Sequence, residues 1–174
     1  MRLSRINSGD RVHIRLVDMA NLPDRLRTQS ESLAVGIFAK AGVEIDFVAC
    51  PCRQAVGPGD FFLQILNQPL RHLHGDSAGF AVLVPSDRRA DSYAAVSLPM
   101  VESAARELDV PVAEMLAASM AHEIGHLLLH SATHSRTGIM RPRVDAKQIR
   151  LLEQGNLGFN QDEVVRLVDW DLAR

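Results

Sequence analysis

The segment RVHIRLVD near the N-terminus alternates, with Val12, Ile14 and Leu16 on one side and His13 and Arg15 on the other. A period of two is that of a strand with one buried face, and it predicts a first strand here. The spacing then changes. Leu22, Leu26, Leu33, Ile37 and Phe38 recur at helical intervals, Pro23 suits a first turn and Gly42 a C-terminal cap, so a helix is expected from Pro23 to Ala41. Alternation returns from Val43 to Ala49, after which PCRQAVGPGD is dense in proline and glycine and reads as loop. Three short apolar runs bounded by turn residues follow, Phe61 to Asn67, Gly79 to Pro85 and Tyr93 to Val101, and each is expected to be a strand.

A short helical stretch is expected through Glu102 to Leu108. Pro111 then opens a second main helix, rich in Ala, Leu and Met, that runs to about Leu129. The segment SATHSRTGIMRPR is punctuated by Ser, Thr, Gly and Pro and reads as loop. Asn160 with Glu163 three residues on has the form of an N-cap pair, and Val164, Leu167 and Val168 share one face of a closing helix. The order is strand, helix, four strands, helix, loop, helix, without repeat or linker, which predicts one α+β domain over residues 1–174.

Composition removes several function classes. With 174 residues, 47% of them hydrophobic and 23% charged, the chain is long and apolar enough to bury a core. Nineteen Lys and Arg against 21 Asp and Glu leave a net charge of -2, without the basic excess of a nucleic-acid binder. No apolar stretch approaches a membrane span and the start, MRLSRINSGD, lacks the apolar centre of an export signal, so the chain reads as soluble and unexported, cytoplasmic by default, with neither nucleic acid nor membrane as partner. Cys50 and Cys52 are separated by one proline and are expected not to reach disulfide geometry, and further soft ligands for a Cys-X-Cys metal site are lacking.

The candidate chemistry lies in AHEIGHLLLHSATHSRTGIM, which holds four of the seven histidines. His122 and His126, four apart on a helix, place both imidazoles on one face where they can share a tetrahedral metal. Glu123 completes H-E-x-x-H, in which the glutamate serves as general base toward the metal's water rather than as a ligand. An open zinc site takes three protein ligands. His130 continues the series, but eight residues of helix rise about 12 Å, too far for one metal to bridge. His134 lies beyond the helix end, where a chain reversal can return it, and is the expected third ligand. Gly138 permits a tight turn, and Met140 can form an apolar floor beneath the histidines.

The order H-E-x-x-H, histidine, G-I-M resembles the metzincin clan of zinc metallopeptidases. More narrowly, HEIGHLLL followed by THSRTGIMR resembles small uncharacterised bacterial metallopeptidases reading HEIGHLLLG, SHS and GIMR, which often begin with an export signal. In this resemblance His122, His126 and His134 fall on the zinc ligands, Glu123 on the base and Met140 on the Met-turn. It implies a twisted mixed sheet of about five strands with one antiparallel edge strand, two long helices, the Met-turn and a C-terminal helix. The common pattern H-E-x-x-H-x-x-G-x-x-H is altered: Leu129 and Ala132 stand at its glycine and third histidine, so the loop to His134 is longer. His130 occupies the narrower family's helix-ending glycine position, which favours positive φ. No tyrosine follows Met140, and Tyr93 reads as a strand aromatic.

The resulting expectation is a zinc metalloendopeptidase with one Zn2+ per chain and a peptide or protein substrate, extended along the strand read at Gly79 to Val84 or its neighbour. Two other classes remain open: a zinc-stabilised binding or regulatory module that cleaves nothing, against which Glu123 speaks, and a zinc hydrolase of a small amide. RHLHGD, with His72, His74 and Asp76, echoes the H-x-H-x-D of binuclear hydrolases but has no supporting pattern. Arg136, Arg141, Arg143, Lys147 and Arg150, offset by Asp145, flank the site and either favour acidic substrate side chains or form a solvated face.

Overall fold

In a computed structural model, residues 11–51, 57, 60–70, 78–84 and 92–172 are described. The alternating start is strand β1 (Val12–Asp18), followed by helix α1 (Asp24–Ala39), β2 (Ile45–Ala49), β3 (Asp60–Leu66), β4 (Gly79–Val82) and β5 (Tyr93–Ser97). Then come helices α2 (Leu98–Leu108), α3 (Val112–Leu129), α4 (Ala146–Glu153) and α5 (Gln161–Leu172). The strands form one mixed sheet in the order β2-β1-β3-β5-β4. All neighbours are parallel except β4, which runs antiparallel along β5 at the edge, with Gly79 opposite Val96. This is the α+β architecture expected from the resemblance, with five strands and one antiparallel edge.

One face of the sheet carries the core. Ile14, Leu16, Leu63 and Ile65 are fully buried in a cluster with Ile37 and Phe38 of α1 and Leu116, Met120 and Ile124 of α3. Every residue from Met115 to Leu129 of α3 is buried. A helix apolar all round must lie inside the protein, and any polar side chain it carries is thereby held in a low-dielectric setting.

Two strand ends, one helix and one bond differ from the expectations. The last strand ends at Ser97 rather than Val101, because the Ser97 hydroxyl accepts from the Met100 amide as an N-cap and a proline lies in the first turn of α2. The apolar run therefore spans two elements. The strand beginning at Gly79 stops at Val82, not Pro85. Helix α4 was hidden inside a basic stretch; Asp145 and Gln148 close a capping box at its start. Cys50 is disulfide-bonded, whereas the spacing of the two cysteines argued against a bridge. The chain bends at Cys50 and Pro51, and a bend shortens the span that an extended chain would impose. Cys52, the only other cysteine in the sequence, lies outside the described residues. Among the described residues, no helix is long and apolar enough to cross a membrane.

Candidate metal centre

Helix α3 presents His122 and His126 one turn apart, their ring centroids separated by 4.7 Å. The helix persists through Leu129 and is closed by His130 in the left-handed conformation, φ 47° and ψ 49°. Histidine tolerates this region better than most residues. The amide of Ser131 returns to the His126 carbonyl, the chain reverses, and His134 comes back over the pair with its ring 5.2 Å from His122 and 5.0 Å from His126. Each of the three rings offers a nitrogen, and these atoms lie within 4.8 Å of one another. His130 is not in that group, since its position caps the helix instead.

The opposite nitrogens are tied down. His122 Nδ1 is 2.9 Å from the Ile139 carbonyl and His126 Nδ1 is 2.6 Å from the Ser131 carbonyl. A carbonyl can only accept, so both rings carry their proton on Nδ1 and expose a bare Nε2. The two Nε2 atoms face each other at 3.1 Å. Two acceptors at that distance repel unless a cation sits between them and their neighbour, and this donor set therefore fits a metal. Burial lowers the His122 pKa to about 4; the Ile139 carbonyl opposes this, and the neighbouring histidines add to it. Burial likewise lowers His126, against the Ser131 carbonyl. Neutral imidazoles at pH 7 are the form a metal requires.

Glu123 is buried beside His122 and lies against the edge strand. A Cβ on Gly79 would stand 2.8 Å from the Glu123 Cγ and Oε1 and equally close to the Ala95 carbonyl. No side chain fits there while the carboxylate keeps its place. Burial pushes the Glu123 carboxyl up to about 8; a nearby cation would favour its charged form. In the sequence Gly79 marks only the start of a strand, because nothing local shows that a glutamate 44 residues on packs against it.

Behind the histidines, a Cβ on Gly125 would stand 2.5 Å from Met140 Sδ. Met140 is buried and packs on the helix between the two ring-bearing turns. The loop that delivers it is fixed at Gly138, φ 75°, where a Cβ would approach the Gly158 carbonyl at 2.7 Å. Gln148 of α4 donates to the Gly138 carbonyl at 2.7 Å.

A cavity of about 290 Å³ adjoins the centre, with His122 and Glu123 in its wall and Ala104, Leu108, Met115 and Val144 among its lining. The flanking basic residues divide. Arg141 and Arg143 reach this cavity together with Glu107 and Asp145, and Arg141 pairs with Asp145 at 2.6 Å, so its charge is balanced. Arg136 and Lys147 line a second cleft behind Gly138, which shares Arg141 and Asp145 with the first. Tyr93 packs edge-on to Phe80 within the sheet, with ring centroids 6.2 Å apart. His72, His74 and Asp76 lie outside the described residues.

No family model matches the chain, and no curated protein sequence does either. Among solved structures, the chain is similar to archaemetzincin from Methanopyrus kandleri, with a TM-score of 0.63 and 14% sequence identity over 97% of this chain and 99% of that one. At that identity the likeness is one of fold.

Proposed function

We propose that this chain is a zinc-dependent metallopeptidase acting as one domain, with one zinc held by His122, His126 and His134 and a peptide or protein as substrate. The observation that carries the reading is the convergence of three imidazole nitrogens, two with their opposite nitrogens tied to carbonyls, one residue from a buried glutamate. When bound, zinc supplies Lewis-acid polarisation of a carbonyl oxygen and a lowered pKa for water. Glu123 accepts a proton from the attacking water and returns it to the leaving amine nitrogen as the C–N bond breaks. The Ile139 and Ser131 carbonyls hold the ring orientation through both steps. Among the described residues strand β4 is the edge of the sheet, which suits an extended peptide added along it. The balanced charge and apolar lining of the adjoining cavity suit an uncharged side chain. The archaemetzincin-like fold supports the same class of chemistry.

The test is elemental analysis of protein purified without chelator, paired with cleavage of an unfolded protein. One zinc per chain is expected, with cleavage that disappears in Glu123→Gln while the metal stays bound, because the amide keeps the shape but accepts no proton. Protein that holds no transition metal and takes up none would refute the reading, as would a Glu123→Gln variant that cleaves at the parent rate.

A further inference from the structure

The loop that brings His134 back is held at both ends by one helix. At its start, Arg166 of α5 donates through Nη2 to the Leu129 carbonyl at 2.9 Å. That carbonyl belongs to the last turn of α3, where no intrahelical partner exists. At its end, the Ser135 hydroxyl, on the residue next to His134, donates to Glu163 Oε1 of the same helix. The Ser135 amide also donates to the Met140 carbonyl at 2.8 Å. Glu163 and Arg166 are three residues apart and so share a face of α5.

Glu163 is itself fixed. Its Oε2 accepts from the Asn160 amide at 2.9 Å, and its own amide donates to Asn160 Oδ1 at 3.0 Å, which is the reciprocal cap of a helix start. A cap needs only one carboxylate oxygen. The second is directed to Ser135, and the side chain is buried at 4% exposure. Unlike His122 and His126, His134 is exposed and stands on a loop without helical support. Its position depends on what anchors its neighbours.

We propose that α5 is a clasp for the third ring of the metal centre, with Glu163 acting through Ser135 as the positioning residue that sets where His134 stands. The inference rests on the reading that the three histidines hold a metal. Anchoring of this kind removes loop conformations in which His134 points away, so the metal meets three prearranged nitrogens rather than two.

Metal affinity of the full chain tests it, measured with Zn2+ by chelator competition and with Co2+ by visible absorption, alongside melting of the metal-free protein. Ser135→Ala and Glu163→Ala are expected to weaken Zn2+ about tenfold, the usual size for a group one shell from the metal, and to change the Co2+ bands. Glu163→Gln, which can still accept from Asn160 and hydrogen-bond Ser135, should restore parent affinity. Leu63→Ala, in the centre of the sheet, should melt earlier yet keep affinity within about twofold, since a core cavity lowers stability without touching the loop. Parent-like affinity and bands in both Ser135→Ala and Glu163→Ala would overturn the clasp while leaving the metal centre standing. Equal weakening in Leu63→Ala would also overturn it, because affinity would then follow global stability. A parent protein that binds neither ion overturns the metal reading and the clasp with it. Should Glu163→Ala fail to fold, Ser135→Ala carries the result alone, since it keeps the cap of α5.

Discussion

Among the described residues, the buried pair Arg15 and Asp60 and the buried histidines His122 and His126 lie on opposite faces of the same sheet, and they are satisfied in opposite ways. Arg15 alternates with the core residues Ile14 and Leu16 and so projects from the face opposite that cluster. Its Nε and Nη2 both reach Asp60 Oδ2, at 2.9 and 2.5 Å. The Gly57 amide adds a third donor to that oxygen at 2.8 Å, and His13 Nδ1 approaches the other at 3.0 Å. The carboxylate is saturated by protein. In the histidine centre the protein fills only the Nδ1 side of His122 and His126, and leaves the Nε2 side converging on a common point. Burial and charge do not separate the two. The unfilled valence does: a cluster that closes on itself holds the fold together, while one that leaves lone pairs aimed at a shared point is arranged for something that is not protein.

The largest effect is expected at Asp60. Asp60→Ala should destabilise the protein by about 3–5 kcal/mol in chemical denaturation, because it removes the carboxylate that the Arg15 guanidinium, buried at 3% side-chain exposure, reaches through both Nε and Nη2. Zinc affinity of the folded fraction should not change. A loss of metal with little loss of stability would reverse the roles assigned to the two faces.

Gly79→Ala comes next in size. The new methyl would crowd the Ala95 carbonyl, which is backbone and cannot give way, so the Glu123 carboxylate must move. A displacement near 1 Å lowers turnover by roughly 10²-fold, with metal retained. Hydrolysis at the parent rate would mean that the carboxylate has room to spare.

His134→Ala should weaken zinc at least about tenfold, and His130→Ala should leave affinity nearly unchanged, both measured by chelator competition. The metal-free His134→Ala protein should melt like the parent, in contrast to the Asp60 variant. Metal lost from His130→Ala and kept in His134→Ala would show that the αL cap, and not the loop, makes the third bond.

The smallest effect is on acid stability. Burial alone would raise the Asp60 carboxyl, but the Gly57 amide, Arg15 and His13 outweigh it and hold its pKa below the usual 3.8. A depressed folded-state pKa gives stability that is present above 3.8 and drains away as pH falls through the lower value. Denaturation followed below pH 4 should therefore show a loss that Asp60→Asn lacks.

Much of the centre was legible because it obeys local rules. The four-residue spacing of His122 and His126 sets a common face, and helical rise separates His130 from that pair once the helix reaches Leu129. The alternation of β1 and the Asn160 and Glu163 cap are likewise written in adjacent residues, whereas the left-handed turn at His130 is implied only by the resemblance, which puts a glycine at that position. Helix α4 is not legible because its cap, Asp145 with Gln148, follows closely on Arg141, Pro142 and Arg143, a stretch that reads as loop.

What tertiary structure alone decided are meetings between residues far apart in the chain. Gly79 abuts Glu123, Arg15 finds Asp60, and Ser135 finds the spare oxygen of Glu163. Periodicity and capping involve neighbours within about a turn, and a single sequence displays them directly. A contact across 28 or 45 residues depends on how sheet and helices pack. Glu163 shows the division within one side chain: one oxygen serves the local cap that the sequence announces, and the other serves a loop that only packing brings within reach.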